Sequence, residues 1–503
     1  MSLRGFLDEL LRRGVLKAAA AYGAVAWLLL EALSLVFQNL AAPDWVFKVI
    51  TVLFLAGFPV ACVMAWGFDI TSKGVRLVGF RIDTSPDPVA GVAATPSESH
   101  AAAGPPTIAV LAFDNLSADP GQEYFSDGIA EDIITDLSKV AELRVIARNS
   151  SFAYKGRAVD VKSMASELGA RYVLEGSVRK AGERIRVTSQ LIDAATGTHV
   201  WAERYDRDLT DIFAVQDDLT IRIIEALRIR LSHEKQQELT RPSGISLEAH
   251  NLFLRGREQA FLLTEHGNVE ARHLLARAIE LSPRFAAAQA YVAFTRVDDY
   301  IMGRGERPED SLAKGVAAAR QACAMDVENP DALWVMSLAL QWNRQLDESL
   351  AVVRRCLVVA PNSAEGHLQL ANLLYYRGDA DESLRTLDRY VQLDPLYPDI
   401  ALYFRAEAQA ALGRYEDAVA TLRQRLERNP RSQTSHALLA SCYGHLGRME
   451  EARAAWAEVM KIEPGFSLER RRRVLPYRTP EIFERRLDGL RAAGLLPGGA
   501  AAG

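Results

Sequence analysis

The sequence predicts a chain of three structural parts: a membrane hairpin of two helices, a mixed α/β domain, and an all-α solenoid of helix pairs. Three observations support this multi-domain fold. Two long apolar runs lie near the N-terminus, strand-like and helix-like patterns alternate in the middle, and the last half repeats with a period near 34 residues. At roughly 100 to 200 residues per domain, a chain of 503 residues holds two to four domains.

Composition excludes several classes of partner and chemistry. The formal net charge of −5 and the 24% charged residues are ordinary for a globular protein, so no nucleic acid partner is expected. Four cysteines, Cys62, Cys323, Cys356 and Cys442, lie far apart, which argues against a disulfide scaffold or a zinc site. The nine histidines form no metal-ligand pair, and we predict no metal and no cofactor.

The first predicted part is a membrane anchor within residues 1–82. Residues 18–40 are almost wholly apolar, with Glu31 as their one charged residue, and residues 49–68 contain no charge, so each run is long enough to cross a bilayer. A signal peptide is the alternative interpretation of the first run, but no convincing cleavage site follows it. We therefore expect two spans within residues 18–68.

The charged residues around these runs predict the orientation of the anchor. Arg12, Arg13 and Lys17 precede the first run, whereas Arg76 and Arg81 follow the second. Because positive residues stay on the cytoplasmic side, both ends of the hairpin should lie in the cytoplasm. The expected location is the bacterial inner membrane, multi-pass, with the soluble domains facing the cytoplasm.

The second part is predicted to be a flexible linker, 83–106, followed by an α/β domain, 107–240. Alanine, proline and serine dominate the linker, and no apolar period is visible in it. In the domain, apolar periodicity predicts strands at 108–113, 143–147, 172–178, 185–192 and 199–205, and helices at 128–139, 161–168 and 212–231. A hairpin should turn at Ala181-Gly182.

Four short motifs carry a resemblance to a known domain. They are Ile108-Ala-Val-Leu-Ala-Phe113, Tyr124-Phe-Ser-Asp-Gly128, Leu174-Glu-Gly-Ser177 and Trp201-Ala-Glu-Arg-Tyr205. Together they resemble the TolB amino-terminal-like domain, across the whole α/β unit. In bacterial proteins such a domain precedes tetratricopeptide repeats and is often joined to adenylate cyclase, winged-helix or transmembrane modules, so the resemblance implies a non-catalytic contact or sensing domain.

Two polar constellations in this domain have alternative interpretations. Asp127, Glu131, Asp132 and Asp136 follow one helix, where they indicate either a divalent metal site or a capped, solvated helix face. The second set combines Glu175-Gly-Ser with Trp201, Glu203 and Arg204. Because alternate strand residues share a face, this set predicts either a polar binding surface or cross-strand pairing.

The third part, 247–465, repeats itself. Repeat ends recur at Pro283, Val327, Pro361, Pro395, Pro430 and Pro464, with spacings of 44, 34, 34, 35 and 34. This pattern resembles about six tetratricopeptide repeats, with small residues at Ala271, Ala278, Ala371 and Ala440 where two helices approach. Cys356, Tyr390 and Arg425 depart from the small-residue pattern, and residues 303–308 form an insertion.

Such repeats stack into a curved solenoid with an inner groove that accepts a peptide or a helix. The residues predicted to line the groove and bind a partner protein are Trp334, Leu368, Asn372, Tyr375, Glu407 and Ser441. The lysine and asparagine set of carboxylate-clamp repeats is not visible. Packing within the repeats is the alternative interpretation for each of these residues. The sequence does not determine the oligomeric state, and a homo-oligomer is one possibility.

The C-terminal tail, 466–503, has eight arginines against four acids. Arginine-rich runs bind nucleic acid or anionic lipid, but the apolar residues between these arginines predict helices that cap the end of the solenoid.

No phosphate loop, nucleophile elbow or metal cluster is visible, so we predict no catalytic residues and no enzyme. A transcription regulator of this kind would need an N-terminal winged helix, whereas a membrane hairpin is predicted there. The sequence favours a membrane-anchored interaction scaffold or signalling adaptor. The alternatives are an envelope-facing sensor or assembly factor, a non-catalytic relative of cyclases with tetratricopeptide repeats, and an unrecognised enzyme that uses the α/β domain.

Overall fold

The computed structural model describes residues 68–71, 74–77, 105–117, 119–157, 159–239, 244–305 and 307–496. The predicted spans therefore lie outside the described residues, apart from Phe68, and so do residues 83–104 of the predicted linker. In the part of the chain that is described, no helix combines the length and the apolar character needed to cross a membrane.

The chain divides into two compact units, 1–99 and 100–503. In the first unit, β1 (Phe68–Thr71) and β2 (Gly74–Leu77) form an antiparallel hairpin that pairs Phe68 with Leu77. This hairpin was not predicted. The second unit contains both the α/β domain and the helix pairs, which pack against each other.

The α/β domain has the following elements in chain order: β3 (Thr107–Val110), β4 (Asp114–Asn115), α1 (Glu123–Ser138), β5 (Arg144–Val145), α2 (Arg148–Phe152), α3 (Val161–Leu168), β6 (Tyr172–Ala181), β7 (Arg184–Asp193), β8 (Thr198–Asp208), α4 (Ile212–Ala226) and α5 (His233–Leu239).

These strands form one mixed sheet in the order β5-β3-β6-β7-β8, and β4 also pairs with β6. Strand β3 runs parallel to β5 and β6, whereas β6, β7 and β8 are antiparallel. On one face, α1 and α4 bury Phe125, Ile133 and Leu219 against the sheet. On the other face, Met164 and Leu168 of α3 pack on Val173. The mixed α/β fold is thus present as predicted.

Several element boundaries differ from those predicted, for local reasons. Helix α1 begins five residues early, at Glu123, because a 3-10 turn at Pro120–Gln122 leads into it and the Asp119 carboxylate accepts the Gly121 N–H. Helix α4 stops at Ala226, not near residue 231, because Arg228 takes a left-handed φ of 57°. Strand β6 extends to Ala181, and the turn falls one residue later, where Gly182 supplies a positive φ of 61°.

Twelve helices form six consecutive antiparallel pairs: α6 (Leu247–Phe261) with α7 (Glu265–Leu281), α8 (Ala286–Met302) with α9 (Pro308–Met325), α10 (Pro330–Trp342) with α11 (Leu346–Val359), α12 (Ala364–Arg377) with α13 (Ala380–Leu393), α14 (Ile400–Ala411) with α15 (Tyr415–Arg428), and α16 (Gln433–His445) with α17 (Met449–Ile462). Two further helices follow, α18 (Leu468–Val474) and α19 (Pro480–Ala492).

The small residues predicted at helix contacts are buried. Ala271, Ala278, Ala371 and Ala440 expose no surface, so neighbouring helices approach closely there. The inserted residues 303–308 lie between α8 and α9 and lead into the first turn of α9.

Larger residues at the departing positions are accommodated by contacts to the loops between pairs. Tyr390 is buried, and its hydroxyl donates to the Asp394 carboxylate at 2.8 Å. Arg425 is also buried; its Nε donates to the Asp399 carboxylate at 3.0 Å, and its guanidinium lies over the Tyr403 ring. These side chains therefore replace small-residue packing with polar contacts to the loop between the fourth and fifth pairs.

Asp217, a half-buried carboxylate on α4, predicts that the stability of the α/β domain depends on pH. Burial between α1 and α4 raises the pKa of Asp217 from 3.8 to about 6, and the nearby Asp136 carboxylate adds to the rise. Between these two values the folded chain keeps a proton that the unfolded chain loses, so stability falls as pH rises from 4 to 6. We expect Asp217→Asn to raise the free energy of unfolding at pH 7 by about 1 kcal/mol, discounted for partial exposure, and to change nothing at pH 4.

Chemical denaturation at the two pH values measures this effect. The exposed Asp114→Asn change serves as the control, and its effect should stay within about 0.5 kcal/mol at both. Equal stabilisation of the Asp217 variant at pH 4 and pH 7 would contradict the role of ionisation.

Candidate functional site

The inner face of the solenoid is formed by the first helix of each pair. Along the six helix pairs, residues 247–462, which we call the arm, α8 contacts α10, α10 contacts α12, α12 contacts α14, and α14 contacts α16. Since these helices pack against their equivalents in the next pair, they lie on the inner side of the curve, where a stacked-pair protein presents its groove.

The predicted groove residues all lie on these first helices, but most are covered. Trp334, Asn372, Tyr375, Glu407 and Ser441 are buried. Leu368 is partly buried and packs beside Leu387 and Tyr390. Trp334 donates from Nε1 to the Asp331 carboxylate at 3.2 Å and packs edge-on against Phe294. Trp334 and Leu368 thus contribute to packing within the repeats, and their partner-binding role stays a prediction.

The cover over Tyr375, Glu407 and Ser441 is the chain's own C-terminal segment, defined as residues 466–496. The sequence pattern predicts that this region caps the end of the solenoid. Instead, α19 packs along α16 and reaches α14 on the inner face, and Tyr477, just before α19, contacts α12. Its apolar residues Phe483, Leu487 and Leu490 are buried there. The segment follows the groove because the groove offers apolar surface together with a buried negative charge.

A buried ion pair holds α19 in the groove. Arg486 of α19 places Nη2 3.1 Å from Glu407 Oε1 of α14, and only 8% and 4% of the two residues are exposed. Arg486 also donates to the Tyr403 hydroxyl at 3.0 Å. Burial acts to lower the pKa of Arg486, but Glu407 more than offsets it, so the pKa is well above the usual value. The guanidinium is therefore always charged.

Tyrosines connect this ion pair to the fourth helix pair. Tyr375 donates its hydroxyl hydrogen to Glu407 Oε2 at 2.5 Å, and its oxygen lies 3.0 Å from the Tyr477 hydroxyl. The Tyr477 ring packs edge-on against Tyr375 and Tyr376. Burial, reinforced by Glu407, raises the pKa of Tyr375 well above its ordinary value, so Tyr375 remains a hydrogen-bond donor.

Helices α16 and α19 cross at two glycines. A Cβ atom on Gly444 would lie 1.8 Å from the Gly489 carbonyl oxygen, and one on Gly489 would lie 2.2 Å from the Ser441 carbonyl oxygen. Ser441 Oγ donates to the Arg486 carbonyl at 2.7 Å. No other residue type fits at either position without moving the helices apart.

A second interface joins the α/β domain to the repeats. Arg257 of α6 places Nη2 2.6 Å from Glu131 Oε2 of α1, and His250 places Nε2 3.0 Å from the Asp132 carboxylate. Farther along the arm, Ser150 Oγ donates to the Asp394 carboxylate at 2.5 Å. These contacts connect α1 to the first helix pair and α2 to the end of the fourth.

Part of the first acidic constellation, on α1, lies at this interface. Every acidic residue of the first set has a side-chain partner. Asp127 pairs with Lys155, Glu131 with Arg257 and Arg148, and Asp136 with Lys139, whereas the Asp132 carboxylate lies 3.0 Å from His250 Nε2. The face is therefore not simply solvated, because two of its carboxylates lie against α6. Among the described residues, no group of three or more His, Cys, Asp or Glu side chains is placed to hold a metal ion.

The second constellation forms contacts within the sheet. Gln190 donates to the Glu175 carboxylate at 3.0 Å, and the Tyr205 hydroxyl donates to Glu203 at 2.6 Å. Arg204 pairs with Asp206 at 3.2 Å along β8. Cross-strand and same-strand pairing thus accounts for these residues, and their use as a binding surface stays a prediction.

Asn362 is a residue of the second interface that the sequence pattern did not indicate. Its side-chain Nδ2 donates to the carbonyl oxygens of Val140 and Leu143, at 2.9 and 2.7 Å, and its own N–H donates to Ser138. Asparagine in a loop between two repeats gives no sequence signal of such a contact. We expect Asn362→Ala to lower the free energy of unfolding by about 2 kcal/mol, because two buried carbonyls lose their donor.

The measurement is denaturation together with amide exchange of residues 144–146, which should become faster. Exposed Gln392→Ala is the control and should change neither quantity. Unchanged exchange in the Asn362 variant would show that the interface does not depend on these hydrogen bonds.

Comparisons with known proteins agree with the repeat assignment. Residues 373–440 and 409–468 match the family model described as tetratricopeptide repeat. The helix pairs and this match identify the arm as tetratricopeptide repeats, a fold class of protein-interaction scaffolds.

Two curated relatives show partial similarity. Putative adenylate cyclase 3 of Rhizobium meliloti (strain 1021) is 48% identical over 244 residues, which are 48% of this chain and 42% of that protein. Transcriptional regulator HilA of Salmonella paratyphi A (strain ATCC 9150 / SARB42) is 23% identical over 155 residues, 30% of this chain and 27% of the regulator. The chain thus spans less than half the length of the curated relatives it matches.

Solved repeat proteins show low overall similarity. The crystal structure of TTC0263, a thermophilic TPR protein in Thermus thermophilus, is 20% identical, with a TM-score of 0.32, and the match covers 39% of this chain and 98% of that chain. The crystal structure of YrrB, a TPR protein with an unusual peptide-binding site, is 16% identical, with a TM-score of 0.28, over 38% of this chain and 93% of that chain.

Proposed function

We propose that this protein is a membrane-anchored, non-catalytic scaffold or signalling adaptor whose repeat groove binds a partner protein. One observation carries the proposal: the inner face of α12, α14 and α16 already holds a helix through a buried ion pair, hydrogen bonds and close glycine contacts. A surface that binds one helix in this way is suited to a helix from another protein, which is a common mode of recognition.

The α/β domain belongs to the same proposal as a contact domain. Its TolB-like motifs support this role, as does its packing against the first helix pair, the loop between the third and fourth pairs, and the end of the fourth pair. Because α1 and α2 connect these pairs, a ligand or partner that shifts α1 relative to α6 would alter the curvature of the arm.

Photo-crosslinking tests the groove assignment. A photoreactive amino acid replaces Ala411, which lies beside the pocket between α14, α16 and α19, in the full chain expressed in a bacterial host. The same amino acid at Val358, which is 79% exposed on α11, is the matched control. We expect a protein adduct at position 411, absent at 358, that disappears with Glu407→Gln. Identical adducts at both positions, or none, would contradict groove binding.

The membrane location rests on the sequence alone: the two apolar runs within residues 18–68 and the positive residues that flank them. Reporter fusions after Arg81 and at Gly503 test it. Fluorescent-protein activity with no alkaline phosphatase activity at both sites is the result expected for the cytoplasmic adaptor. Phosphatase activity would favour the alternative, an envelope-facing sensor or assembly factor.

The name of one curated relative keeps a second candidate function open. The relative that is 48% identical is named a putative adenylate cyclase, and this chain matches 42% of its length. We propose that this chain is a non-catalytic relative of cyclases that carry tetratricopeptide repeats. Incubation of the purified full chain with ATP and Mg²⁺ or Mn²⁺ should yield no cyclic AMP above a buffer control; cyclic AMP formation would overturn this part of the proposal.

A further inference from the structure

We propose that the groove of the fourth to sixth helix pairs selects a partner helix with an arginine inside its apolar face, and that the C-terminal segment is the resident occupant that such a partner displaces. This inference rests on the proposed function, because it assumes that the groove receives a protein. It adds the chemistry of the ligand and the means by which access to the groove is controlled.

The sequence of α19 defines the shape of that ligand. Phe483, Arg486, Leu487 and Leu490 are buried against the repeats, and they recur at the three- and four-residue intervals of one helix face. Gly489 lies on the same side, at the crossing with α16. A partner helix that matches the groove therefore carries the pattern Phe-x-x-Arg-Leu-x-Gly-Leu.

The arginine in this pattern follows from the charge of the groove. Glu407 is 4% exposed beneath α19, and Arg486 is its cationic partner at 3.1 Å. A neutral helix seated at this position would leave the carboxylate buried without a cation, which is costly. An acidic helix would add repulsion. The groove thus discriminates by charge as well as by shape.

The glycine follows from the distance between helices. A Cβ at position 489 of the occupant would approach the Ser441 carbonyl oxygen to 2.2 Å and the Ser441 hydroxyl oxygen to 2.6 Å. An alanine there pushes the whole helix outward, and the Ser441 hydrogen bond to the Arg486 carbonyl is then lost. Two separate features of the groove, one electrostatic and one steric, therefore select the same helix.

The C-terminal segment is held unevenly, which allows its displacement. Helix α18 contains four consecutive arginines, 470–473, and none of its residues is buried. Arg344 of the repeats donates to the carbonyl oxygens of Arg473, in the last turn of α18, and of Leu475, the latter at 3.1 Å. The buried residues begin only at Leu475 and continue through α19. A pocket between α14, α16 and α19, lined by Tyr415, His445 and Ile482, remains beside the bound helix. Because α18 has no buried residue, it detaches first and leaves α19 open to exchange with a competing helix.

Peptide exchange on the full chain tests this inference. A specific protease site is inserted between Gly465 and Phe466, and cleavage leaves residues 466–503 bound without a covalent link. A fluorescent peptide of residues 466–496 is then added, and its anisotropy reports binding. Two control peptides carry Arg486→Met and Gly489→Ala, and circular dichroism monitors the helix content of the cleaved protein.

We expect the native peptide to exchange into the groove and both control peptides to bind at least tenfold more weakly. Loss of helix content on cleavage, or no exchange over a day, would show that the segment is a fixed part of the fold and would overturn the inference. Equal binding of the Arg486→Met peptide would overturn the charge rule. None of these readouts requires a cellular partner, so they are independent of the crosslinking result on which the proposed function depends.

Discussion

Arg486→Ala should detach α19 from the groove. The change removes the cation of a buried pair and leaves Glu407 without it, and breaking such pairs typically costs about 3–5 kcal/mol. Part of this cost is recovered when the vacated groove admits water. We therefore expect the protection of α19 amides against hydrogen exchange to fall by about 3 kcal/mol, which is roughly a hundredfold faster exchange. Hydrogen exchange of the α16 amides near Ser441 should also become faster.

Arg473→Ala is the matched control for this prediction. Arg473 belongs to the same segment and its side chain is exposed, so exchange in α19 should stay within about threefold of the unchanged protein. A double variant, Glu407→Leu with Arg486→Met, tests the electrostatic origin, because an apolar pair of similar volume should restore most of the protection. If Arg486→Ala leaves α19 fully protected, the ion pair does not hold the segment.

Arg257→Ala should have a comparable effect at the other interface. Burial acts to lower the pKa of Arg257, and Glu131 more than offsets it, so the guanidinium is charged and paired across the boundary between α6 and α1. Its removal leaves Glu131 with only the more exposed Arg148, at 2.9 Å. We expect a loss of about 3 kcal/mol in the free energy of unfolding, measured by chemical denaturation.

Arg255 provides the control, because it lies two residues away on the same helix and is exposed. Arg255→Ala should change stability by less than about 0.5 kcal/mol. The prediction also specifies location: exchange should accelerate in both α1 and α6. A loss confined to α6 would mean that the α/β domain is not stabilised by this contact.

Both predictions concern contacts that couple distant parts of the sequence. Arg486 connects the segment after the last repeat to the fifth helix pair, and Arg257 connects the first helix pair to the α/β domain. Together with the Asn362 hydrogen bonds, they make residues 105–496 a single compact unit in the described part of the chain. In this structure the groove of the repeats is occupied by the chain's own C-terminal segment.

Sequence alone determined the features that depend on neighbouring residues. The spacing of prolines from 361 to 464 located the helix pairs, since each pair needs the same apolar period and the same turn. Alternation in 172–192 located the antiparallel hairpin for a similar reason. Repeat register also assigns Glu407 and Ser441 to the first helices of their pairs, α14 and α16, whereas their partner-binding role stays a prediction.

Only the tertiary structure decided what covers that face. The apolar residues of the C-terminal segment indicated helices that must pack somewhere, but they fit the end of the solenoid and its inner face equally well as a pattern. The choice depends on complementarity between residues far apart in the chain: Arg486 with Glu407, and Gly489 with Gly444. Local periodicity contains no information about such pairings, because the energy of a buried ion pair or of a close helix crossing exists only once both surfaces meet.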